Sequence, residues 1–466
     1  MERPRHRRHA PRARRLRERR RGGPRGRPRP AGGDGVIWLV PELVLDPDGL
    51  RRGVAVRIED GLIAEVAAAD EAPADALRLS RTALLPGFVN AHSHAFQRDL
   101  RGAVERIDPQ NPDDDFWTWR EEMYAQAGRM DPDAIHDVAR RCYRQMRASG
   151  ATAVGEFHYV HHRPDGTPYE RPNALAEAVC AAAEAEGLRI ALLLVAYERG
   201  GEGIAPTPGQ RRFCDPTAKA YLARLDALRA WAADRPLVTV GAAPHSMRAV
   251  SPAWLTAISD YTRAHGLPLH IHADEQPREI DESLAWYGLR PVQVIDAAGA
   301  LDARTVIVHG THCDDAELDV LAARGAGVCV CPTTEANLGD GYAPVRRMFE
   351  RGIPVSLGSD SNTILDPIVE ARELEAMARR TAGQRNVLVR PGDPGPAGYL
   401  LECSWDSGAR ALGLSLPRIR AGAPADLIAL DLDDDEIAGV TDENLAAAIM
   451  LAGSSRLVTR TWVAGA

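Results

Sequence analysis

The stretch Leu85-Pro-Gly-Phe-Val-Asn-Ala-His-Ser-His94 decides how the rest of the chain is read. It is an apolar, strand-like run that ends in two histidines one residue apart. Residues i and i+2 of a strand point to the same face, so His92 and His94 can converge on one point. Neutral imidazole suits zinc and other divalent metals, which makes a metal site the first expectation. Taken alone, a His-x-His pair is as easily a surface feature at a strand end. Three later stretches repeat the arrangement: His270-Ile-His272-Ala-Asp-Glu275, Val306-Ile-Val-His309 and Pro354-Val-Ser-Leu-Gly-Ser-Asp360. Each sets a metal-competent or proton-carrying residue just after a short apolar run.

Around these runs, residues 81–413 alternate short apolar segments with longer Ala/Leu/Arg helical patterns. Strands are expected at 83–90, 151–157, 190–196, 237–243, 267–272, 305–309, 327–331 and 354–358. Helices are expected between them, as at Ala174–Glu186, Thr217–Ala233 and Asp314–Arg324. Eight strands alternating with helices predict an α/β fold, a (β/α)8 TIM-like barrel. The suspected site residues then fall at the C-terminal ends of strands, where such barrels keep their chemistry. Residues 35–80 and 414–466 read as short strands separated by turns such as Asp46-Pro-Asp-Gly. They predict a small β-sandwich domain built from both chain ends. Residues 1–34 are Arg, Pro and Gly with almost nothing to bury, and are expected to be a disordered basic tail without a role.

The 466 residues are 45% hydrophobic and 26% charged, ordinary proportions for a globular protein. The net charge of −8 conceals an asymmetry: residues 1–30 hold 14 Arg and 2 Glu, so the remainder carries about −20. An acidic body argues against nucleic-acid binding. No apolar run approaches the roughly 20 residues that span a bilayer, so no membrane partner is expected. The seven cysteines have no disulfide-like or zinc-ribbon spacing and suggest a reducing, cytoplasmic setting. Cys329-Val-Cys331 reads as packing.

The chemistry follows from strand order. Asp360 ends the last barrel strand, which lies beside the first in a closed barrel. It can therefore reach a metal held by His92 and His94; its plainer reading is a helix N-cap. His272 completes the ligand set. Glu275, three residues on, is placed to move protons between water and a substrate nitrogen. His309 is placed to polarise the nucleophile or to face a developing anion. Two-metal sites in barrels of this kind often use a carboxylated lysine as a bridge. The only lysine, Lys219, sits in a helical pattern. One divalent metal is therefore expected, zinc first on ligand type, with iron or manganese as alternatives.

The motif Pro86-Gly-Phe-Val-Asn-Ala-His-Ser-His94, with His272-x-x-Glu275, His309 and Ser359-Asp360, resembles the amidohydrolase superfamily in its mononuclear deaminase branch. Further stretches are similar to the formimidoylglutamate deiminases of histidine degradation. They are Phe116-Trp-Thr-Trp-Arg-Glu-Glu-Met-Tyr, Glu156-Phe-His-Tyr-Val-His-His, Pro332-Thr-Thr-Glu-Ala-Asn-Leu-Gly-Asp-Gly, His94-Ala-Phe-Gln-Arg and Ala243-Pro-His-Ser-Met-Arg-Ala-Val. The resemblance runs from about residue 36 to the C-terminus. It implies hydrolysis of N-formimidoyl-L-glutamate to N-formyl-L-glutamate and ammonia, with Glu275, His309 and Asp360 as catalytic groups. It implies Arg120 and Arg248 as carboxylate-binding residues, with Gln97, Tyr159 and His245 as polar contacts to the dicarboxylate. A homodimer is expected. His158, His161 and His162 look metal-like but fall outside this set. The competing readings are a deaminase of a base such as guanine or cytosine, and a barrel scaffold without activity. The first needs stacking surfaces rather than two arginines, and the second sits poorly with an intact ligand set.

Overall fold

The computed structural model describes residues 35–105 and 115–466. The expectation for residues 1–34 lies outside them. Eight parallel strands form the barrel in sequence order: Phe88–Ser93, Ala151–His158, Arg189–Ala196, Val238–Pro244, Leu269–Ala273, Thr305–His309, Gly327–Val330 and Val355–Leu357. Runs such as Ile190-Ala-Leu-Leu-Leu-Val-Ala196 are buried throughout, because strands covered by helices on one face and by the barrel interior on the other see no water. The helices carry apolar stripes at helical spacing. Pro132–Ala148 buries Ile135, Val138, Ala139, Cys142, Tyr143 and Met146. The expected helices begin where their caps are. Thr217 accepts from the Ala220 amide at 3.1 Å and Asp314 from the Glu317 amide at 2.9 Å.

Side chains fill the barrel interior: Ala91, Val306, Val308, Cys329, Cys331 and Ala411 form one buried cluster, and Val89, Ala153, Ala191 and Leu412 another. Both cysteines of Cys329-Val-Cys331 thus pack inward. Ala411 and Leu412 come from the helical segment that follows the eighth strand, and plug the end remote from the strand C-termini.

The smaller β-structure is a seven-stranded sheet drawn from both ends of the described chain. Its order is Val458–Trp462, Leu427–Asp431, Leu77–Pro86, Ile37–Asp46, Val54–Glu59 and Leu62–Ala68, with Gly49–Arg52 paired to Ile37–Asp46. It has its own core of Leu39, Val44, Val56, Ile58, Ile63, Leu84, Leu427 and Trp462. The strand expected at 83–90 is in fact two strands. Residues up to Pro86 belong to this sheet and residues from Phe88 to the barrel. The break is Gly87, where a Cβ would lie 2.0 Å from the Thr152 side chain.

Ladder pairing stops short of joining the eighth strand to the first. That seam is closed by Ser359 and Asp360, whose amides both donate to the His92 carbonyl at 3.0 Å, and by the His94 amide donating to the Asp360 carbonyl at 2.9 Å. Behind it runs a buried side-chain chain. Asn90 Nδ2 donates to Ser359 Oγ at 2.6 Å, Ser359 Oγ to Asn362 Oδ1 at 2.6 Å, Asn362 Nδ2 to Ser93 Oγ at 3.1 Å, and Ser93 Oγ to Glu156 Oε2 at 2.8 Å. Gly358 permits the approach, since a Cβ there would meet His92 Cβ at 2.7 Å and Cys331 Sγ at 2.9 Å. Gly358→Ala should therefore force the seam apart and destabilise the fold by about 1–3 kcal/mol. Urea unfolding reads this directly, and an unchanged midpoint would contradict the role given to Gly358.

Candidate metal centre and active-site cleft

Four buried side chains converge at the C-terminal mouth of the barrel: His92 and His94 from the first strand, His272 from the fifth and Asp360 after the eighth. His92 Nε2 lies 3.2 Å from His94 Nε2 and 3.2 Å from His272 Nε2. Asp360 Oδ1 lies 3.4 Å from His92 Nε2 and 3.2 Å from His94 Nε2. An ion about 2.1 Å from each of its tetrahedral ligands separates those ligands by roughly 3.4 Å, so the spacing fits a metal.

The tautomers agree. His94 Nδ1 lies 2.8 Å from the Phe157 carbonyl and His272 Nδ1 lies 3.1 Å from the His245 carbonyl. A carbonyl can only accept, so both Nδ1 atoms carry the hydrogen and both Nε2 lone pairs point inward. Burial pushes the His92 imidazole down to about 3 and His272 well below its usual value, which keeps them neutral as ligands must be. Burial opposes ionisation of Asp360, but His92 and His94 beside it hold its carboxyl well below the usual range.

Beyond the ligands stand Glu275 and His309. His309 Nε2 is 3.6 Å from Glu275 Oε1 and 4.0 Å from Asp360 Oδ2, while its Nδ1 is 3.3 Å from Glu335 Oε1. Burial works against a charge on His309, yet Glu275, Glu335 and Asp360 outweigh it and raise the imidazole well above its usual value. Glu275 is raised by burial, with His309 and Arg248 opposing. Asp274, His309, Asp360 and Asn362 all adopt left-handed backbone, with φ of 55°, 72°, 45° and 61°. Such conformations in non-glycine residues cost about 1–3 kcal/mol each and cluster where side chains must be aimed.

A cleft opens above this cluster. Gln97, Arg120, Tyr159, His245 and Arg248, singled out in the sequence, line it together with His94, His272, Glu275, His309 and Asp360. Its apolar walls are Phe116, Trp119, Met123, Tyr124, Tyr197 and Phe213. Gln97 Nε2 donates to Tyr159 Oη at 2.8 Å. Arg120 lies on the helix Phe116–Gly128, stacked 4.4 Å from the Trp117 ring, with Arg278 4.3 Å and Arg248 5.6 Å from the same indole. Arg248 stands 3.9 Å from Glu275 and 3.6 Å from Glu279, neither within hydrogen-bond distance.

His158, His161 and His162 are buried and line no part of the cleft. His161 Nε2 donates to the Val195 carbonyl at 2.8 Å. His270 sits on the same strand as His272 but deeper, with Nε2 donating to the Ala411 carbonyl at 2.7 Å. Sequence reasoning missed Glu279, Glu335 and Asp340, buried acids around His309 and Arg248. Glu335 and Asp340 lie in the quoted stretch Pro332–Gly341, so the signal was present but without a partner to interpret it.

Residues 83–466 match the amidohydrolase family. The chain is 39% identical to the formimidoylglutamate deiminase of Pseudomonas aeruginosa, over 92% of this chain and 93% of that one. Among solved structures it is similar to an amidohydrolase from Brucella melitensis, at 35% identity and a TM-score of 0.84, covering 92% and 94% of the two chains. It is also similar to an adenosine deaminase from Xanthomonas campestris with bound zinc, at 25% identity and a TM-score of 0.77, covering 92% of each. Family match, barrel topology and the His-His-His-Asp cluster coincide, and the chain belongs to the amidohydrolase family.

Proposed function

We propose that the protein hydrolyses N-formimidoyl-L-glutamate to N-formyl-L-glutamate and ammonia, at one divalent metal, zinc by ligand type, held by His92, His94, His272 and Asp360. The observation that carries the substrate choice is a pair of arginines in the cleft, Arg120 and Arg248, each without a hydrogen-bonded carboxylate. Nε of both is buried and makes no hydrogen bond among the described residues. Guanidinium groups held this way suit a ligand with two carboxylates, because each offers a planar pair of donors. The likeness to the Pseudomonas aeruginosa deiminase supports the same reading. A nucleobase fits less well, since it offers neither guanidinium group a carboxylate at hydrogen-bond distance.

A divalent ion in this centre supplies Lewis-acid activation of the attacking water near neutral pH. The protein's own groups do the rest. Asp360 turns Oδ1 to the histidines and Oδ2 to His309, so one oxygen remains to accept a proton from the water. Glu275 is positioned to carry a proton to the nitrogen that leaves as ammonia. His309, charged beside Glu275 and Asp360, faces the oxygen that becomes the formyl group. Gln97, Tyr159 and His245 orient the chain of the substrate between the two arginines. Burial, with Arg248 nearby, keeps His245 well below its usual value, so it acts as a neutral hydrogen-bonding group.

Ammonia release from a substrate panel tests this reading. N-formimidoyl-L-glutamate should be turned over well ahead of N-formimidoylglycine, which lacks the side-chain carboxylate, and of guanine or cytosine. Preference for a base would overturn the assignment. Arg248→Met should cost about 2–4 kcal/mol in kcat/KM, roughly 30- to 1,000-fold, with Arg120→Met similar or smaller. At least one of the two should narrow the preference over formimidoylglycine. If neither does, the arginines do not read the substrate. Glu275→Gln should lower kcat by about 10²- to 10⁴-fold while KM changes little. Near-normal turnover in that variant would remove Glu275 from the proton path.

A further inference from the structure

Five buried carboxyls surround His309: Glu275, Glu279, Glu335, Asp340 and Asp360. Four face an arginine or histidines. Glu275 and Glu279 face Arg248, Glu335 faces His309 Nδ1, and Asp360 faces His92 and His94. Asp340 has no salt bridge among the described residues. Its place is nevertheless tightly determined. It sits between Gly339 and Gly341, whose φ of 72° and 119° fold the turn back towards the barrel mouth. Its amide donates to the Glu335 carbonyl at 3.0 Å and its carbonyl accepts from His312 Nε2 at 2.8 Å. Gln276 Nε2 donates to Oδ1, while Oδ2 is buried with no partner.

An oxygen of Asp340, one of Glu275 and a ring nitrogen of His309 lie within 4.8 Å of one another. A carboxylate left unpaired among other carboxylates is strongly disfavoured, and the remedy open to Asp340 is to keep a proton. Oδ1 already accepts from Gln276, so the hydrogen belongs on Oδ2. Both ring nitrogens of His309 already face other carboxylates, Nδ1 that of Glu335 and Nε2 that of Glu275. Glu275 is the member of the group that offers acceptor oxygens.

We propose that Asp340 is a positioning residue of the proton path: its Oδ2–H donates a hydrogen bond to the Glu275 carboxylate, fixing one Glu275 oxygen and leaving the other free for the substrate. The proton stays on Asp340 through the cycle, so nothing is consumed. Burial raises the Asp340 carboxyl to about 9, with Glu275 also raising it, His309 opposing, and Glu335 and Asp360 adding to the rise. It therefore remains protonated around neutrality and loses its hydrogen only in alkali. The inference rests on the role given above to Glu275.

Infrared difference spectra of the full-length, metal-loaded protein without substrate test it first. At neutral pH the wild type should show the carbonyl stretch of a protonated carboxyl that Asp340→Asn lacks. Loss of no such band would overturn the proposal, whatever the substrate proves to be. Kinetics supply the second arm. Asp340→Ala should lower kcat for N-formimidoyl-L-glutamate by about 10- to 100-fold, with KM and metal content nearly unchanged. Asp340→Asn carries an N–H that donates at every pH. It should keep kcat within about 3-fold and lose the alkaline fall-off of the wild type. An Asn variant as damaged as the Ala variant, or an Ala variant with wild-type kcat and pH profile, would overturn the proposal. Failure of wild type to release ammonia from this substrate would instead count against the function, leaving the infrared result to decide the protonation of Asp340.

Discussion

Three imidazole nitrogens and a carboxylate oxygen aimed at one buried point repel one another unless a cation stands between them. Each is stripped of water, and the lone pairs of His94 and His272 are fixed inward by carbonyls on their far side. Burying such a set without compensation would cost far more than a domain's net stability allows. The same residues close the barrel. The His92 carbonyl takes both the Ser359 and Asp360 amides, so metal ligation and closure of the last strand onto the first share the residues His92, His94 and Asp360. An ion bound here would therefore stabilise the fold as well as serve chemistry.

That coupling explains the tight chemistry around the seam. Gly87 and Gly358 are positions where any side chain would meet a neighbour, Thr152 in one case and His92 in the other. The network from Asn90 through Ser359, Asn362 and Ser93 to Glu156 satisfies the polar groups that the missing ladder leaves behind. Outside the metal shell the electrostatics are arranged in pairs. His309 stands between Glu275 and Glu335, and Arg248 stands near Glu275 and Glu279. At the mouth, Trp117 carries three guanidinium groups on or near its indole, those of Arg120, Arg248 and Arg278. An aromatic surface can hold such groups together where water alone would let them part.

Much of this was legible in the sequence because it depends on local periodicity. His92 and His94 share a face by strand alternation, and His272, His309 and Asp360 end or follow short apolar runs that read as buried strands. The barrel and the sheet folded from both ends followed from the same patterns. The carbonyl partners of His94 and His272 were not legible, since backbone atoms leave no signature in residue type. Nor was the role of Glu335 or Asp340, whose neighbours His309, Glu275 and Gln276 come from other strands and loops. The first strand was placed too early because Leu84 and Leu85 are as apolar as Phe88 and Val89. Only the packing of Gly87 on Thr152 shows where one sheet ends and the barrel begins.

Anomalous diffraction from crystals of the metal-loaded protein would count the ions held by the four ligands. One ion per chain should give a single strong peak, about 2.0–2.2 Å from His92 Nε2, His94 Nε2, His272 Nε2 and an Asp360 oxygen. Two peaks in the cleft, or one peak at His309, Cys331 and Glu335 with the four ligands empty, would contradict it.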